Sequence, residues 1–306
     1  MNEAVTMDQV LAAAESACTA FDGIPVEPVL VCDANGVREH ESGEVVDRYE
    51  RHGFAVIQVG PEPVTPDTLL ALAEAFDLGE AFVPPLYRRN GSNPTSVSRI
   101  SAASNVGTAD ATHPSFGRAL GQELHCDGTL QSIGFIKASL LLCESPAAGG
   151  GHTTLFNASA AFVQLAAVDM PAAAALMSPG ALVRQANING STELNVGPVF
   201  TLQDGELVCH YCVTDTDSWA VPDDVAAADL KHGVEFLRRA ALPGSPLFAQ
   251  LTLDAGQAIV FDNTRISHGR SPYRDSETAR RCLYRSLHVR HPQRRCSAIA
   301  AGTAAS

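Results

Sequence analysis

The sequence predicts a mainly β fold, an antiparallel β core with peripheral helices, and three observations predict it. Short apolar runs of strand length, Phe135–Cys143, Phe248–Leu253 and Gln257–Asp262, surround the chain's polar motifs. Helical periodicity gathers toward the N-terminal half and one later insertion, Pro222–Ala241, instead of alternating with the strands as a βαβ chain requires. No G-x-G-x-x-G or other phosphate-cradling loop occurs.

In chain order, residues 7–21 place Val10, Ala14, Cys18 and Phe21 on one helical face that ends near Gly23. Val45–Val59 reads as a helix that turns at Gly53 into a short buried strand. Thr65 with Pro66 behind it is an N-cap followed by proline at the first helical position, and that helix runs through Leu69, Leu72 and Phe76 to Gly79. Residues 84–118, rich in Pro, Gly, Ser, Asn and Arg, read as a long loop, and such a loop in a compact domain usually carries function. Phe135–Cys143 is a continuous apolar strand and Ala147–Gly151 a turn, after which Asn157 caps a helix through Phe162 and Leu165. Asp204-Gly205 marks a hairpin with Glu206–Val213 as its second strand. Pro222–Ala241 turns Val225, Leu230, Val234 and Leu237 inward. Phe248–Leu253 alternates, turns at Asp254–Gly256 and resumes as Gln257–Asp262.

With 306 residues and 45% hydrophobic content, the chain can bury a large core without metal or disulfide staples. One domain over 1–306 accounts for it, with an N-terminal helical part at about 1–80 and insertion or lid segments at about 84–118 and 186–245. The net charge of −13 argues against nucleic acid, whose phosphates need a basic surface, and against anionic membranes. No apolar run nears the length of a membrane span, and the opening MNEAVTMDQVLAAAESAC lacks the basic stretch of a signal peptide. The expected location is the cytoplasm. The cysteines at 18, 32, 126, 143, 209, 212, 282 and 296 are then expected as free thiols. Cys209 and Cys212 invite a zinc reading, but no second pair follows at suitable spacing, and on a Glu206–Val213 strand the two thiols face opposite sides. Nothing in the sequence selects between a monomer and a homo-oligomer.

Three signals carry chemistry. His125 and Asp127 stand two apart in ELHCDGTL, so on a strand an imidazole and a carboxylate share a face and can converge on one ion. Alone the pair is weak in a chain of ten histidines, where a hydrogen-bonded histidine beside an aspartate is the ordinary alternative. His268, in FDNTRISHGRSPYR, follows the strand ending at Asp262 and sits at a glycine-bounded turn, where a side chain can face a barrel mouth. Two imidazoles and one carboxylate leave three adjacent coordination positions open, the facial triad of non-haem iron(II) oxygenases; zinc sites more often hold thiolates or a third histidine. Third, Arg281 and Arg285 share a strand face just after His268, and a guanidinium beside an iron site in an acidic chain suits a carboxylate. Arg280 reads as a solvated charge.

Taken together, the His125-x-Asp127 pair, Gly150-Gly151-His152-Thr153, the Gly256–Arg270 stretch with Asn263, Arg265 and His268, and the arginines at 280, 281 and 285 resemble the taurine dioxygenase (TauD/TfdA) and clavaminate synthase-like family. The motifs stand in family order, and the similarity covers about residues 45–290. The resemblance implies a double-stranded β-helix, a cupin-like jelly-roll core, with the metal at its open end. It implies Fe(II) bound by His125, Asp127 and His268, and 2-oxoglutarate held by Arg281 through its distal carboxylate, with a hydrogen bond from Thr153 or, alternatively, Thr154. Arg285 matches the position that binds the substrate's anionic group in taurine dioxygenase. The implied reaction takes O₂, releases succinate and CO₂, and hydroxylates an unactivated C–H bond, with desaturation or cyclisation as branches. Related halogenases carry Gly or Ala in place of Asp127, so the carboxylate argues against halogenation.

Candidates for the substrate wall are Gln122 and Thr129 beside the metal motif, the 84–118 loop with Tyr87, Arg88, Arg89, Arg99 and Asn105, and Asn187–Asn195 as a polar lid. With Arg285 they suggest a small polar or anionic substrate, such as an amino acid or a natural-product intermediate. His152 and His210 read as structural histidines and Trp219 as packing. Two other classes stay open: a cupin-like isomerase or hydrolase on another divalent metal, and a non-catalytic small-molecule-binding jelly roll. The Arg281–Thr153 pair argues against the first, and the intact triad against the second.

Overall fold

Two β-sheets packed face to face make the core, and alternation along their strands decides what each layer contains. The structure, a computed structural model, describes residues 9–10, 12, 20–21, 24, 26–60, 63–86, 96–102, 117–186, 188, 190–223 and 225–294. First come β1 (Val29–Val31), α1 (Glu39–His52), β2 (Phe54–Val59), α2 (Pro66–Ala75), β3 (Ser98–Ile100), β4 (Gln122–His125), β5 (Ala138–Ser145), β6 (Gly149–Gly150) and β7 (Thr153–Asn157). Then follow α3 (Ala158–Val168), α4 (Met170–Leu176), β8 (Leu182–Gln185), β9 (Leu194–Gly197), β10 (Phe200–Gln203), β11 (Glu206–Cys209) and β12 (Asp217–Trp219). The last are α5 (Ala227–Ala240), β13 (Phe248–Leu251), β14 (Gln257–Asp262), β15 (Ile266–Arg270), β16 (Tyr273–Arg274) and β17 (Cys282–His288).

The larger sheet runs in the order β1-β2-β14-β5-β17-β3 and the smaller in the order β13-β7-β15-β4. Val56, Leu141, Cys143, Ile259, Phe261 and Leu283 of the larger sheet meet Leu155 and Ile266 of the smaller. The residues between them, such as Ile57, Leu140, Leu142, Val260 and Tyr284, face the other way and pack with Val45, Tyr49, Leu69, Leu72 and Phe76 of the N-terminal helices. Behind the smaller sheet, Cys126 and Phe156 pack with Phe162, Leu165, Leu176, Leu230 and Leu237 from α3, α4 and α5. Fully burying one such side chain contributes roughly 1.5–3 kcal/mol, so burial on both faces is what holds these strands in place. The result is the jelly roll expected, with helices outside both sheets. Among the described residues no helix is long and apolar enough to cross a membrane.

Local signals account for most element boundaries. Gly53 adopts φ 80°, closes α1 by donating its N–H to Tyr49, and lets β2 begin at once. The Thr65 hydroxyl accepts from the Thr68 N–H at 3.3 Å, and Asn157 Oδ1 accepts from the Ala160 N–H at 3.0 Å, each starting a helix. α2 stops at Ala75, short of the expected Gly79. α5 starts at Ala227, later than the Pro222 expected, yet buries Leu230, Val234 and Leu237 as the pattern requires.

Four expectations need correction. The 84–118 segment is not all loop: Ser98–Ile100 pairs with β17 as β3, while residues 87–95 and 103–116 lie outside the described residues. The 186–245 segment is not mainly a lid, since it contains β9 to β12 and α5. His268 is not at a turn. The turn is residues 263–265, and His268 sits inside β15, because Asp262 Oδ1 accepts from the N–H and hydroxyl of Thr264, at 2.8 and 2.6 Å, and reverses the chain earlier. Finally, β11 ends at Cys209, so Cys209 and Cys212 do not face opposite sides. Both thiols adjoin Cys126, with Cys209 Sγ 3.9 Å from its sulfur and Cys212 Sγ accepting its N–H at 3.3 Å. Most of the 7–21 helix, with Cys18, and also Cys296 lie outside the described residues.

Candidate active site

β15 lies between β4 and β7, and its register puts His268 directly opposite His125 and Leu155. Directly opposed residues share a sheet face, so the two imidazoles stand side by side, ring centroids 4.3 Å apart, on the inner face of the jelly roll. Asp127 follows His125 by two residues just past the end of β4 and returns to the same face. The ligand atoms of His125, Asp127 and His268 lie within 4.8 Å of one another, all three residues are buried, and the group could hold a metal ion. Gly269 lets the strands come this close, since a Cβ there would sit 2.5 Å from the Gln122 carbonyl oxygen.

A shell of hydrogen bonds aims the three groups. Asn263 Oδ1 accepts the Asp127 N–H at 2.7 Å, and its Nδ2 donates to the carbonyls of Asp127 at 3.2 Å and Ile136 at 3.0 Å. Ser139 donates to Asp127 Oδ2 at 2.7 Å and Arg285 Nη1 to Oδ1 at 2.6 Å. His125 Nδ1 lies 2.9 Å from the Glu123 carbonyl. A carbonyl only accepts, so Nδ1 carries the hydrogen, which leaves the Nε2 lone pair in the site. Gln122 Nε2 sits 3.1 Å from it.

The electrostatics match a metal-ligand set. Burial pushes the Asp127 carboxyl up, but Arg285, His268, His125 and Ser139 together outweigh it and hold the group well below the usual carboxylate range. Burial and the neighbouring His125 push His268 down to about 3, and burial likewise lowers His125. At neutral pH the site therefore holds one anion and two neutral imidazoles, the protonation states that metal ligands need. Two nitrogens and one oxygen without a thiolate suit iron(II).

Arg281 and Thr153 meet nearby. Both are 4% exposed, and with Gly151 and Leu283 they line a small cavity. Arg281 lies over the Tyr273 ring, 5.2 Å from its centroid, and its buried Nη1 has no hydrogen-bond partner. Burial lowers its pKa. A buried guanidinium with an unmade hydrogen bond fits a carboxylate ligand. Gly151, at φ +73°, makes room: a Cβ would come 3.0 Å from Arg281 Cδ and Nε. Thr153 shares the inward face of Leu155, whereas Thr154 is half-buried and lies against Gly269, so the geometry favours Thr153.

A cavity of about 290 Å³ opens over His125 and Asp127, lined among others by Gln122, Thr129 and Arg285. Arg285, expected at the substrate, is thus both a wall residue and the partner of Asp127. Arg99 is not in this wall. It lies opposite Tyr284 on the outer face of β17 and pairs with Glu144 at 3.1 Å, because one strand step reverses the side-chain direction. Asn195 braces the wall from behind, donating to the carbonyls of Thr129 at 3.2 Å and Gln131 at 2.6 Å. Tyr87, Arg88, Arg89, Asn105 and Asn187 lie outside the described residues. His152 Nδ1 pairs with the Thr252 hydroxyl at 2.6 Å and His210 with Arg184, away from the metal cluster, while Trp219 packs 6.2 Å from Tyr211. The sequence pattern had not singled out Asn263, Ser139 or Arg184; of these only Asn263 lay within a quoted motif.

The sequence profile of the family described as "Taurine catabolism dioxygenase TauD, TfdA family" matches residues 32–287. The chain belongs to this family. As a TauD/TfdA member it is a 2-oxoglutarate-dependent non-haem iron dioxygenase, and the His-Asp-His cluster described above could hold its iron. A uridine-5'-phosphate dioxygenase from an Amycolatopsis species is 38% identical over 261 residues, 83% of this chain and 92% of that protein. A protein of the same description from a Streptomyces species is 36% identical over 256 residues, 82% of this chain and 90% of its own. Among solved structures, a taurine dioxygenase from Burkholderia xenovorans superposes with a TM-score of 0.56 at 15% identity, covering 84% of each chain, a likeness of fold.

Proposed function

We propose that this TauD/TfdA dioxygenase acts on uridine 5′-phosphate or a close nucleoside monophosphate. The observation that carries the substrate is the 38% identity to a uridine-5'-phosphate dioxygenase across 92% of that protein's length. The anionic character expected from the sequence is retained, and a nucleotide takes the place of the amino acid. The cavity supports it through Arg118, which lines it with no carboxylate partner among the described residues, while Arg184 and Arg285 of the same lining are paired with Asp217 and Asp127. Leu86, Leu130, Ala186 and Ile188 cluster on another part of the same wall, an apolar surface against which a nucleobase can lie.

The roles of individual residues follow from the geometry. His125, Asp127 and His268 would hold Fe(II), and Arg281 with Thr153 would hold the distal carboxylate of 2-oxoglutarate. Bound iron supplies the oxidation, in which O₂ and 2-oxoglutarate yield succinate, CO₂ and an oxidised substrate. Asp127 stays ionised through Arg285 and Ser139, while buried His125 and His268 stay neutral. Arg285, paired with Asp127, lines the wall beside the metal ligands, and Arg118 offers the positive charge that the phosphate of a nucleotide would meet. The apolar Leu86, Leu130 and Ile188 exclude water from the space above. We take residues 1–306 as one catalytic domain, because the cavity wall draws on β4, β8 and β17 alike. Buried free thiols at Cys126, Cys143, Cys209, Cys212 and Cys282 support a cytoplasmic location.

The test has two parts. Anaerobic Fe(II) with 2-oxoglutarate should give a weak visible charge-transfer band, absent in Asp127→Ala; without the band the residue assignment fails. In air, uridine 5′-phosphate should raise succinate formation well above the substrate-free rate. Equal stimulation by uridine, or stimulation by amino acids alone, would overturn the nucleotide reading.

A further inference from the structure

Cys126 stands between the ligands His125 and Asp127, so whatever fixes its peptide fixes the angle between them. The group that does so comes from β8. Arg184 Nη2 donates to the Cys126 carbonyl at 2.9 Å and lies 3.4 Å from the Thr129 hydroxyl, and Nη1 donates to His210 Nε2. Its Nε side faces Asp217 Oδ1 at 3.5 Å, and the two side chains are only 3% and 2% exposed. Opposed register on β8 and β12 produces this pairing.

The second oxygen of Asp217 reaches the substrate side. Oδ2 accepts from the N–H and hydroxyl of Thr214, at 3.0 and 2.7 Å, and the Thr214 and Thr216 hydroxyls lie 3.2 Å apart. Thr214, Asp215 and Thr216 line the cavity that opens over His125 and Asp127. Hydrogen bonds at both ends and the 3.5 Å Arg184–Asp217 ion pair in the middle join this wall to the peptide between the metal ligands; Arg184 Nε itself makes no hydrogen bond among the described residues. A buried ion pair gives little net stability, and an apolar pair would serve packing as well. Here one of the donors, Nη2, goes to the peptide between the metal ligands.

We infer that the Arg184–Asp217 pair is a positioning device that couples occupancy of the Thr214–Thr216 wall to the orientation of the metal-ligand loop Cys126–Thr129. A substrate that settles against the wall holds the Asp217 carboxylate, and through Arg184 the Cys126 carbonyl. Neither residue is a metal ligand; Arg184 also lines the cavity, whereas Asp217 does not, so the Asp217 variant separates lost positioning from a lost substrate contact. The inference rests on the metal role given to His125 and Asp127, and not on which substrate fills the cavity.

Two variants test it in the full chain: Arg184→Lys keeps the charge and loses the fork, and Asp217→Asn keeps one acceptor oxygen and loses both the charge and the second acceptor. With uridine 5′-phosphate, succinate and oxidised substrate are counted separately. Both variants should form severalfold more succinate per oxidised substrate than the parent, with the KM for 2-oxoglutarate unchanged. A ratio equal to the parent's, even at a lower total rate, would mean the pair is merely structural and overturn the inference. If uridine 5′-phosphate gives no succinate above background in the parent, the substrate reading has failed, and Mn(II) affinity without substrate decides instead. Arg184→Lys should then bind Mn(II) about tenfold or more weakly, as loss of a partner behind a ligand does; unchanged affinity overturns the inference. If either variant fails to fold, hydrogen exchange in the parent carries the test. Uridine 5′-phosphate added to the Mn(II) protein with 2-oxoglutarate should protect residues 214–217 and 126–129 together, and protection of the first segment alone overturns the coupling.

Discussion

Replacing Arg281 by methionine should weaken 2-oxoglutarate binding strongly while leaving the ligand-free fold as stable as before or more so. The two signs come from one observation. Arg281 is 4% exposed and buried Nη1 makes no hydrogen bond; Asp275 accepts only its backbone N–H, at 2.9 Å. Burial outweighs the neighbours that favour its charge, Tyr273 (ring 5.2 Å away), Cys143, Asp275 and Cys282, and lowers its pKa. Without 2-oxoglutarate the guanidinium is a desolvated cation, and an unmade buried hydrogen bond costs about 1–3 kcal/mol. Methionine fills similar space without that cost. With 2-oxoglutarate bound, removing one partner of a buried charge pair costs about 3–5 kcal/mol, which is roughly a hundred- to several-thousand-fold in Kd. The assay is an anaerobic titration of 2-oxoglutarate into the Fe(II) protein, read by the visible charge-transfer band, with thermal unfolding of the same samples before ligand. A Kd within about threefold of the parent would refute the carboxylate role. So would a loss of more than about 2 kcal/mol in ligand-free stability, because it would show a cation already satisfied by the fold.

Three other outcomes follow from named contacts. Asn263→Ala strips the Asp127 N–H and two carbonyls of their partners in a buried position, so unfolding free energy should fall by about 2–4 kcal/mol and Fe(II) affinity with it; an unchanged denaturation midpoint would contradict the accounting. Gly151→Ala should raise the KM for 2-oxoglutarate while sparing Fe(II) affinity, because the added methyl would sit 3.0 Å from Arg281 Cδ and Nε. His288 is fully buried, its Nε2 lies 2.8 Å from the Ser286 hydroxyl, and burial lowers its pKa from 6.5 to about 4. The unfolded chain therefore binds this proton first, so the contribution of His288 is intact above about pH 6.5 and is lost as the pH falls toward 4. The loss amounts to about 3 kcal/mol, and chemical denaturation of metal-free parent and His288→Gln at several pH values should show a shallower acid slope in the variant.

How much of the site could be read from the chain depended on the range of the interactions involved. His125 and Asp127 share a face for any strand, because alternation is a property of the backbone. Arg281 is legible from its spacing to Arg285 on one strand face, whereas Thr153 comes only from the family resemblance, with Thr154 as the alternative. The placement of His268 was misread because Gly269 looked like a turn residue, whereas its lack of a side chain serves close strand approach, and the real turn is built by Asp262 and Thr264. The geometry of Cys209 and Cys212 was misjudged by assuming that the strand continued past Cys209. Arg184 and Asp217 form no local pattern at all. They meet through the register of β8 with β12, which an isolated sequence window does not encode.

The same reasoning explains why the metal half of the cavity was legible and the substrate half was not. The metal half is assembled by β4, β15 and β17, whose residues alternate regularly and whose errors of register would expose a whole apolar face. The substrate wall takes Pro84 and Leu86, the loop Gly128–Gln131, Ala186 with Ile188, and Thr214–Thr216, each from a separate irregular segment. Irregular segments obey no period, so their inward residues cannot be told from their outward ones before the fold is known. The division also predicts where substrate choice can change. Substitutions confined to Leu86, Leu130 or Ile188 leave every hydrogen bond around Asp127 in place, so they should alter the KM for the nucleotide and leave the 2-oxoglutarate charge-transfer band intact. An Ile188→Ala variant that lost the band would show that this apolar part of the wall, whose side chains offer no polar link to the metal loop like that of Thr214–Thr216, nevertheless shapes the metal site.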